Sequence, residues 1–460
     1  MSIFEKFVKV IQPWIFAARY PGLKVQIEPQ TRVLFEQLRS TSAVVCPNHC
    51  RHEDGELLFL ISILIRQQFK FLAAREMFDS YGGFGGIVLR ELGCFQVDRG
   101  GDNSDAIRAT EHQLTGDGAK VVIFPEGEIG YDNDRLESLE PGAAAIGLDT
   151  FIRFQHHGQE RPVSIVPLAL SYQFDNAPAL CEKLVDRLES KLGLPHNPLL
   201  PNALSPAALF PPTSSSSTDS PLAQSSPTQS APTQSSLTSL SVSSASGDAP
   251  PNAVSLHDRA RRIVEAFLDD REKELESWFD IHSPVDGSDI DARVARVFSA
   301  SLQRIADLVD YKIPHGSETH RLHHLQSKIF VRKLKAGFFE KSKFAQMEKQ
   351  TILLNRLRSI RADEIDGTSS INSLADLLCS LDVLITGRAS PGASRTVMVN
   401  AAEPLDMSAY AALWREDREA AVSKITEELR ERLQGKLFLV RSNQDLLDSG
   451  GSNLTLRKSM

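Results

Sequence analysis

The chain has 460 residues, 41% hydrophobic and 24% charged, which supports a sizeable globular core over about three domain lengths. Its formal net charge of −8 argues against a protein built mainly to hold nucleic acid, which is usually basic overall. The five cysteines are scattered and mostly beside apolar residues, which argues for a reducing compartment rather than a disulfide framework.

The first residues lack the basic start, apolar run and cleavage site of a signal peptide. Ile3, Phe4, Phe7, Val8, Ile11, Trp14 and Ile15 recur at helical spacing, which predicts an amphipathic helix over 1–20. Such a stripe suits packing on the protein's own core first and a membrane surface second. No run reaches the roughly 18 apolar residues of a membrane span. The longest, Leu57 to Ile65, ends at Arg66.

Residues 21–200 read as alternating strands and helices. Strands are predicted at Thr41 to Cys46, Phe69 to Ala73, Gly93 to Val97, Lys120 to Phe124 and Val163 to Leu170. Helices fall at Gly55 to Arg66 and from Ser104 to Leu114. Gly82, Gly83, Gly85 and Gly86 have the wrong spacing for a dinucleotide fingerprint and read as a turn. The alternation predicts a layered α/β domain with a largely parallel sheet.

From 201 to 253 the composition collapses into Ser, Thr, Pro, Gln and Ala, as expected of a disordered linker. Residues 254–445 are expected to form an all-helical accessory region. Its helices are placed at Asp258 to Trp278, Ile290 to Val309, Glu318 to Leu334, Phe344 to Leu357 and Ala411 to Leu437. His320, His323 and His324 lie on a charged helix with no partner carboxylate in the sequence pattern, so they are expected in solvent. Residues 446–460 read as a flexible tail.

The segment from Cys46 to Asp54 carries the chemistry. Pro47 and Asn48 supply a turn between a strand and a helix, so His49 and Asp54 can meet although they are five positions apart. A carboxylate on one imidazole nitrogen fixes the tautomer and leaves the other nitrogen as a base. Such a pair needs no serine if the nucleophile is a hydroxyl of the substrate. The plainer alternative is a helix-capping Asp54 beside a polar loop histidine. Cys46 and Cys50 are misspaced for zinc and read as packing residues.

Asn48-His49 with Asp54 resembles the His-four-spacer-Asp motif of the glycerolipid acyltransferase superfamily, which includes glycerol-3-phosphate and lysophosphatidate acyltransferases. Gly93 to Arg99 resembles its second block, Phe124 to Gly127 its third, and Val166-Pro167 its fourth, all in the expected order. The resemblance implies transfer of an acyl group, other than aminoacyl, from acyl-CoA or acyl carrier protein. The acceptor would be a hydroxyl of glycerol phosphate, lysophosphatidate or a related lysolipid.

By resemblance His49 is the general base and Asp54 its orienting partner. Arg99 would pair with a phosphate, the alternative being a surface ion pair with Asp98 or Asp102. Glu126 would orient acceptor hydroxyls, Gly127 would let substrate approach the backbone, and Asn48 belongs with the substrate-binding residues. No cofactor or metal is implied beyond the thioester co-substrate, and no nucleic acid partner. The expected location is cytoplasmic, with peripheral contact to the cytoplasmic face of a membrane as an option.

The chain departs from the family pattern in its third block. Glu128 and Ile129 stand where Thr or Ser and then Arg are common, and Gln96 stands at a usually apolar second-block position. Arg51, Arg135 and Arg161 are candidate replacements for the missing cation. Two other readings stay open: a metal-dependent hydrolase using His49, His52, Glu53 and Asp54, and a non-catalytic scaffold for the helical region.

Overall fold

Strand β2 (Ser42–Pro47) is buried along its whole length. That explains the unbroken apolar run from Ala43 to Pro47: a strand covered on both faces has no polar alternation. It sits at the centre of the sheet in the computed structural model, which describes residues 3–74, 78, 86, 89–90, 94–97, 104–195, 255–279, 289–367, 369–388 and 393–449. The expected linker 201–253, the tail from 450 onward, Arg99 and three of the four clustered glycines lie outside the described residues.

The N-terminal half supplies α1 (Ile3–Arg19), β1 (Leu23–Ile27), α2 (Pro29–Gln37), β2, α3 (Asp54–Leu64), β3 (Phe69–Ala74) and β4 (Cys94–Val97). It continues with α4 (Ser104–Leu114), β5 (Lys120–Val122), α5 (Gly142–His156), β6 (Val163–Phe174) and α6 (Ala177–Leu192). The C-terminal half begins with helices α7 (Leu256–Phe279), α8 (Ile290–Leu308), α9 (Glu318–Lys335), α10 (Phe338–Leu357) and α11 (Ile371–Thr386). Two short strands follow, β7 (Arg395–Ala401) and β8 (Leu405–Asp406), then α12 (Ala411–Glu416) and α13 (Arg418–Ser449).

Among the described residues the sheet order is β1-β7-β6-β2-β5-β3-β4, with β8 also paired to β6. The stretch from β6 through β2, β5 and β3 to β4 is parallel throughout, as the strand–helix alternation predicts. β7 runs antiparallel to β6 and parallel to β1. The C-terminal half is therefore helical but not all-helical: it returns a strand to the interior of the sheet. Val397 and Val399 are fully buried there, against partners more than two hundred residues earlier in the chain. Pairing at that range leaves no local periodicity to read.

Pro167 stands inside β6, where proline normally removes a ladder bond. Its carbonyl accepts from Ala402 N at 2.9 Å on the β7 side. In an extended strand the N–H of a residue points the same way as its carbonyl, so the missing donor falls between the β8 pairing at Ile165 and the β7 pairing at Leu168.

Helices cover both faces. One core gathers Phe35, Leu57, Leu58, Ile61 and Phe69 with Val397 and Val399. The other joins Val44, Val121 and Ile165 to Leu148 of α5 and to Ala421, Val422, Ile425 and Leu429 of α13. The helix expected from Ala411 breaks at Asp417, whose extended backbone and side-chain bond to Ala420 N (3.0 Å) start α13 anew. The segments before and after residues 197–255 belong to one compact unit. α1 packs on α3 through Phe16 and through Gln12, whose Nε2 donates to Glu56 O at 3.3 Å. Val10, Trp14 and Ile15 face out, with Trp14 79% exposed.

Candidate active site

The turn predicted after Pro47 carries His49 to the C-terminal end of β2, and α3 opens at Asp54. The helix N-cap is Glu53, not Asp54, and its side chain makes no cap bond. The Asp54 carboxylate instead folds back on the turn. Its Oδ2 lies 3.0 Å from His49 Nδ1 and accepts from Cys50 N (2.9 Å) and Arg51 N (2.8 Å). Its Oδ1 accepts from the Tyr172 hydroxyl at 2.5 Å. Asp54 is completely buried, and these donors replace the water it has lost. Burial, with the Asp54 carboxylate second, pushes the Tyr172 hydroxyl well above its ordinary pKa, so it stays protonated and donates.

The imidazole is fixed from the other side as well. It stacks on Phe124 with ring centroids 3.9 Å apart. The His49 backbone is clamped twice: its N–H donates to Glu126 Oε1 at 2.7 Å, and its carbonyl accepts from Gly130 N at 2.8 Å. Nδ1 faces the carboxylate and Nε2 has no hydrogen bond among the described residues, which is the arrangement of a tautomerically fixed base.

The other predicted residues fall as follows. Asn48 is buried and pairs with the β6 backbone, donating to Leu170 O (2.9 Å) and accepting from Leu170 N (2.7 Å). Glu126 is buried, and its second oxygen accepts from Glu137 N at 2.9 Å, so both oxygens hold backbone N–H groups. Gly127 has φ +73°, a conformation that favours glycine, and the space above it is filled: an added Cβ would lie 3.3 Å from His323 Cε1. Cys46 and Cys50 are buried, as packing residues should be.

The histidine cluster is not all in solvent. His323 from α9 is mostly buried, with Nε2 3.1 Å from Glu128 Oε1. The partner carboxylate that sequence spacing did not supply comes from the third motif block. His52 meets the Tyr131 hydroxyl through Nε2 at 2.8 Å, and burial, with the Arg356 guanidinium second, lowers its pKa. Tyr131 itself has φ +57°, a strained setting for a bulky side chain. Among the described residues no three of His, Cys, Asp and Glu are grouped as metal ligands.

Of the three candidate replacement cations, Arg51 pairs with Asp376, Arg135 with Asp363 at 3.2 Å, and Arg161 with Asp117 at 2.8 Å. Arg356, on α10, lies over the Tyr131 ring at 3.9 Å and was not foreseen.

Burial pushes the Glu126 carboxyl from its usual 4.5 up to about 8, although its two backbone donors pull the other way. With the folded-state value above the unfolded one, the native protein binds the extra proton between those limits. Stability therefore declines as pH rises across that window, by on the order of 5 kcal/mol in all. Glu126→Gln should flatten the decline. A denaturant midpoint with the same pH slope in parent and variant would show that this group does not carry it.

Residues 30–171 match the family model described as Acyltransferase. No curated protein and no solved structure matches the chain significantly. The matched span holds the His49–Asp54 pair, the Phe124 to Gly127 turn and the Val166-Pro167 strand, each at the end of a strand or within one. Residues 30–171 thus form an acyltransferase domain of the glycerolipid acyltransferase family.

Proposed function

We propose that the protein transfers a fatty acyl chain from an acyl thioester, on coenzyme A or acyl carrier protein, to a hydroxyl of a glycerol-phosphate-type acceptor. The observation that carries this is the 3.0 Å contact of His49 Nδ1 with a buried carboxylate that is itself held by two backbone N–H groups and a tyrosine hydroxyl. His49 Nε2 takes the proton of the acceptor hydroxyl as its oxygen attacks the thioester carbonyl. An ester bond forms, the carbon–sulfur bond breaks, and the departing thiolate recovers the proton. Asp54 holds the imidazole in the required tautomer and stabilises the imidazolium that forms.

Glu126 acts in this scheme as a positioning residue, because its oxygens fix the His49 backbone and the 137 end of the loop. Asn48 ties the same turn to β6. Thioester consumption with a panel of glycerol phosphate, lysophosphatidate and neutral lysolipids tests the assignment. Consumption that does not depend on any acceptor would reduce it to thioester hydrolysis.

Contact with lipid is peripheral in this reading. No described helix is long and apolar enough to cross a membrane. The outward residues Val10, Trp14 and Ile15 of α1 supply an apolar face for insertion at the headgroup level. The triple change to serine at these positions should weaken vesicle flotation by roughly tenfold or more, given the apolar area each contributes. The melting temperature should stay put, since these side chains are already exposed. Unchanged flotation would remove α1 from the membrane role.

A further inference from the structure

The loop from Phe124 to Glu140 is surrounded by arginines whose charges are matched. Arg51 pairs with Asp376, Arg135 with Asp363, Arg358 with Glu137 and Glu318, and Arg361 with Asp132 and Glu137. Arg356 differs. Its guanidinium carbon lies 3.9 Å from the centroid of the Tyr131 ring, and its Nη1 is 3.5 Å from the Ser380 hydroxyl. Its Nε is buried without a hydrogen-bond partner. Among the described residues no carboxylate lies within ion-pair distance of it. A ring face and the hydroxyls of Ser380 and Tyr131, all neutral, offset only part of the hydration that a guanidinium loses on burial. Burial accordingly lowers the Arg356 pKa from its ordinary value.

The place of this cation follows from its neighbours. Asn355 Nδ2 donates to Ile129 O at 2.8 Å, which pins α10 to the third-block turn. The hydroxyl of Tyr131, whose ring lies beneath the guanidinium, bonds His52 on the same turn as His49 and Asp54. The turn has no cation of its own at Ile129, and α10 brings one alongside. Neutral partners, a vacant donor and a place on the residue that bonds His52, three positions from His49, suit an incoming anion, and a planar fork fits phosphate oxygens best.

We propose that Arg356 binds the phosphate of the acyl acceptor, so that a helix outside the matched acyltransferase span completes the acceptor site. Naming the acceptor rests on the acyl-transfer reading; the binding of a phosphate does not. Calorimetric titration of the full chain with inorganic phosphate, glycerol 3-phosphate and free coenzyme A separates the two. Inorganic phosphate and glycerol 3-phosphate should bind the parent, and Arg356→Gln should weaken both by roughly ten- to a hundredfold, with coenzyme A unaffected.

Arg356→Lys should recover part of the affinity, since it restores charge without the fork. None of these titrations needs an acyl donor or turnover, so a failure of acyl transfer leaves this result readable. A parent that binds neither phosphate ligand overturns the proposal, as does an Arg356→Gln protein that binds both as the parent does. Loss confined to coenzyme A overturns the acceptor assignment. Should the glutamine variant not fold, the lysine variant decides: affinity equal to the parent's for every ligand rules the fork out.

Discussion

Replacing His49 with alanine should lower acyl-transfer turnover by roughly 10²-fold or more, the usual contribution of a general base, and should leave the fold intact. The fold survives because the turn is held by main-chain groups. The His49 N–H to Glu126 bond, the Gly130 N–H to His49 carbonyl bond and the donors on Asp54 all remain without the imidazole. The variant loses the stacking on Phe124, worth about 1 kcal/mol for a ring pair. Asp54→Asn should be as damaging to turnover and worse for stability. An amide presents an N–H where Cys50 N and Arg51 N require an acceptor, or where Tyr172 donates. Turnover and a thermal melt on each purified variant check both. Near-normal turnover by folded His49→Ala would end the proposed mechanism.

Ending the chain at residue 254 should abolish cooperative folding, although the whole family-matched span is retained. That cut removes β7, leaving Leu168 to Phe174 of β6 without their antiparallel neighbour and β1 without the strand it pairs with among the described residues. It also strips Ala421, Val422, Ile425 and Leu429 from one face of the sheet. Full burial of a Val, Leu or Ile side chain contributes roughly 1.5–3 kcal/mol. The three larger ones thus supply about 4–9 kcal/mol, comparable to the whole net stability of a typical domain. The truncated protein should be insoluble or should bind a hydrophobic dye without a cooperative melt. In the full chain, Ile425→Asp should lower the denaturant midpoint sharply for the same reason. A soluble 1–254 fragment with a sharp melt would show that the C-terminal half is an accessory and not part of the folding unit.

What the sequence determined by itself was local and contiguous. The apolar run at β2, the strand–helix alternation and the proline turn into Asp54 all lie within a few residues of one another. Their periodicity and turn chemistry therefore announced a parallel layer with a His–Asp pair at a strand end. The helices at 258–278, 290–309 and 318–334 were legible for the same reason.

Tertiary structure decided the rest. Tyr172 reaches Asp54 from β6, His323 covers Gly127 and Glu128 from α9, and Arg356 arrives on Tyr131 from α10. β7 enters between β1 and β6 from the far end of the chain. Each of these contacts joins residues more than a hundred positions apart. A side chain's local pattern records the face it buries, but not the distant carboxylate, ring or strand edge that it buries against.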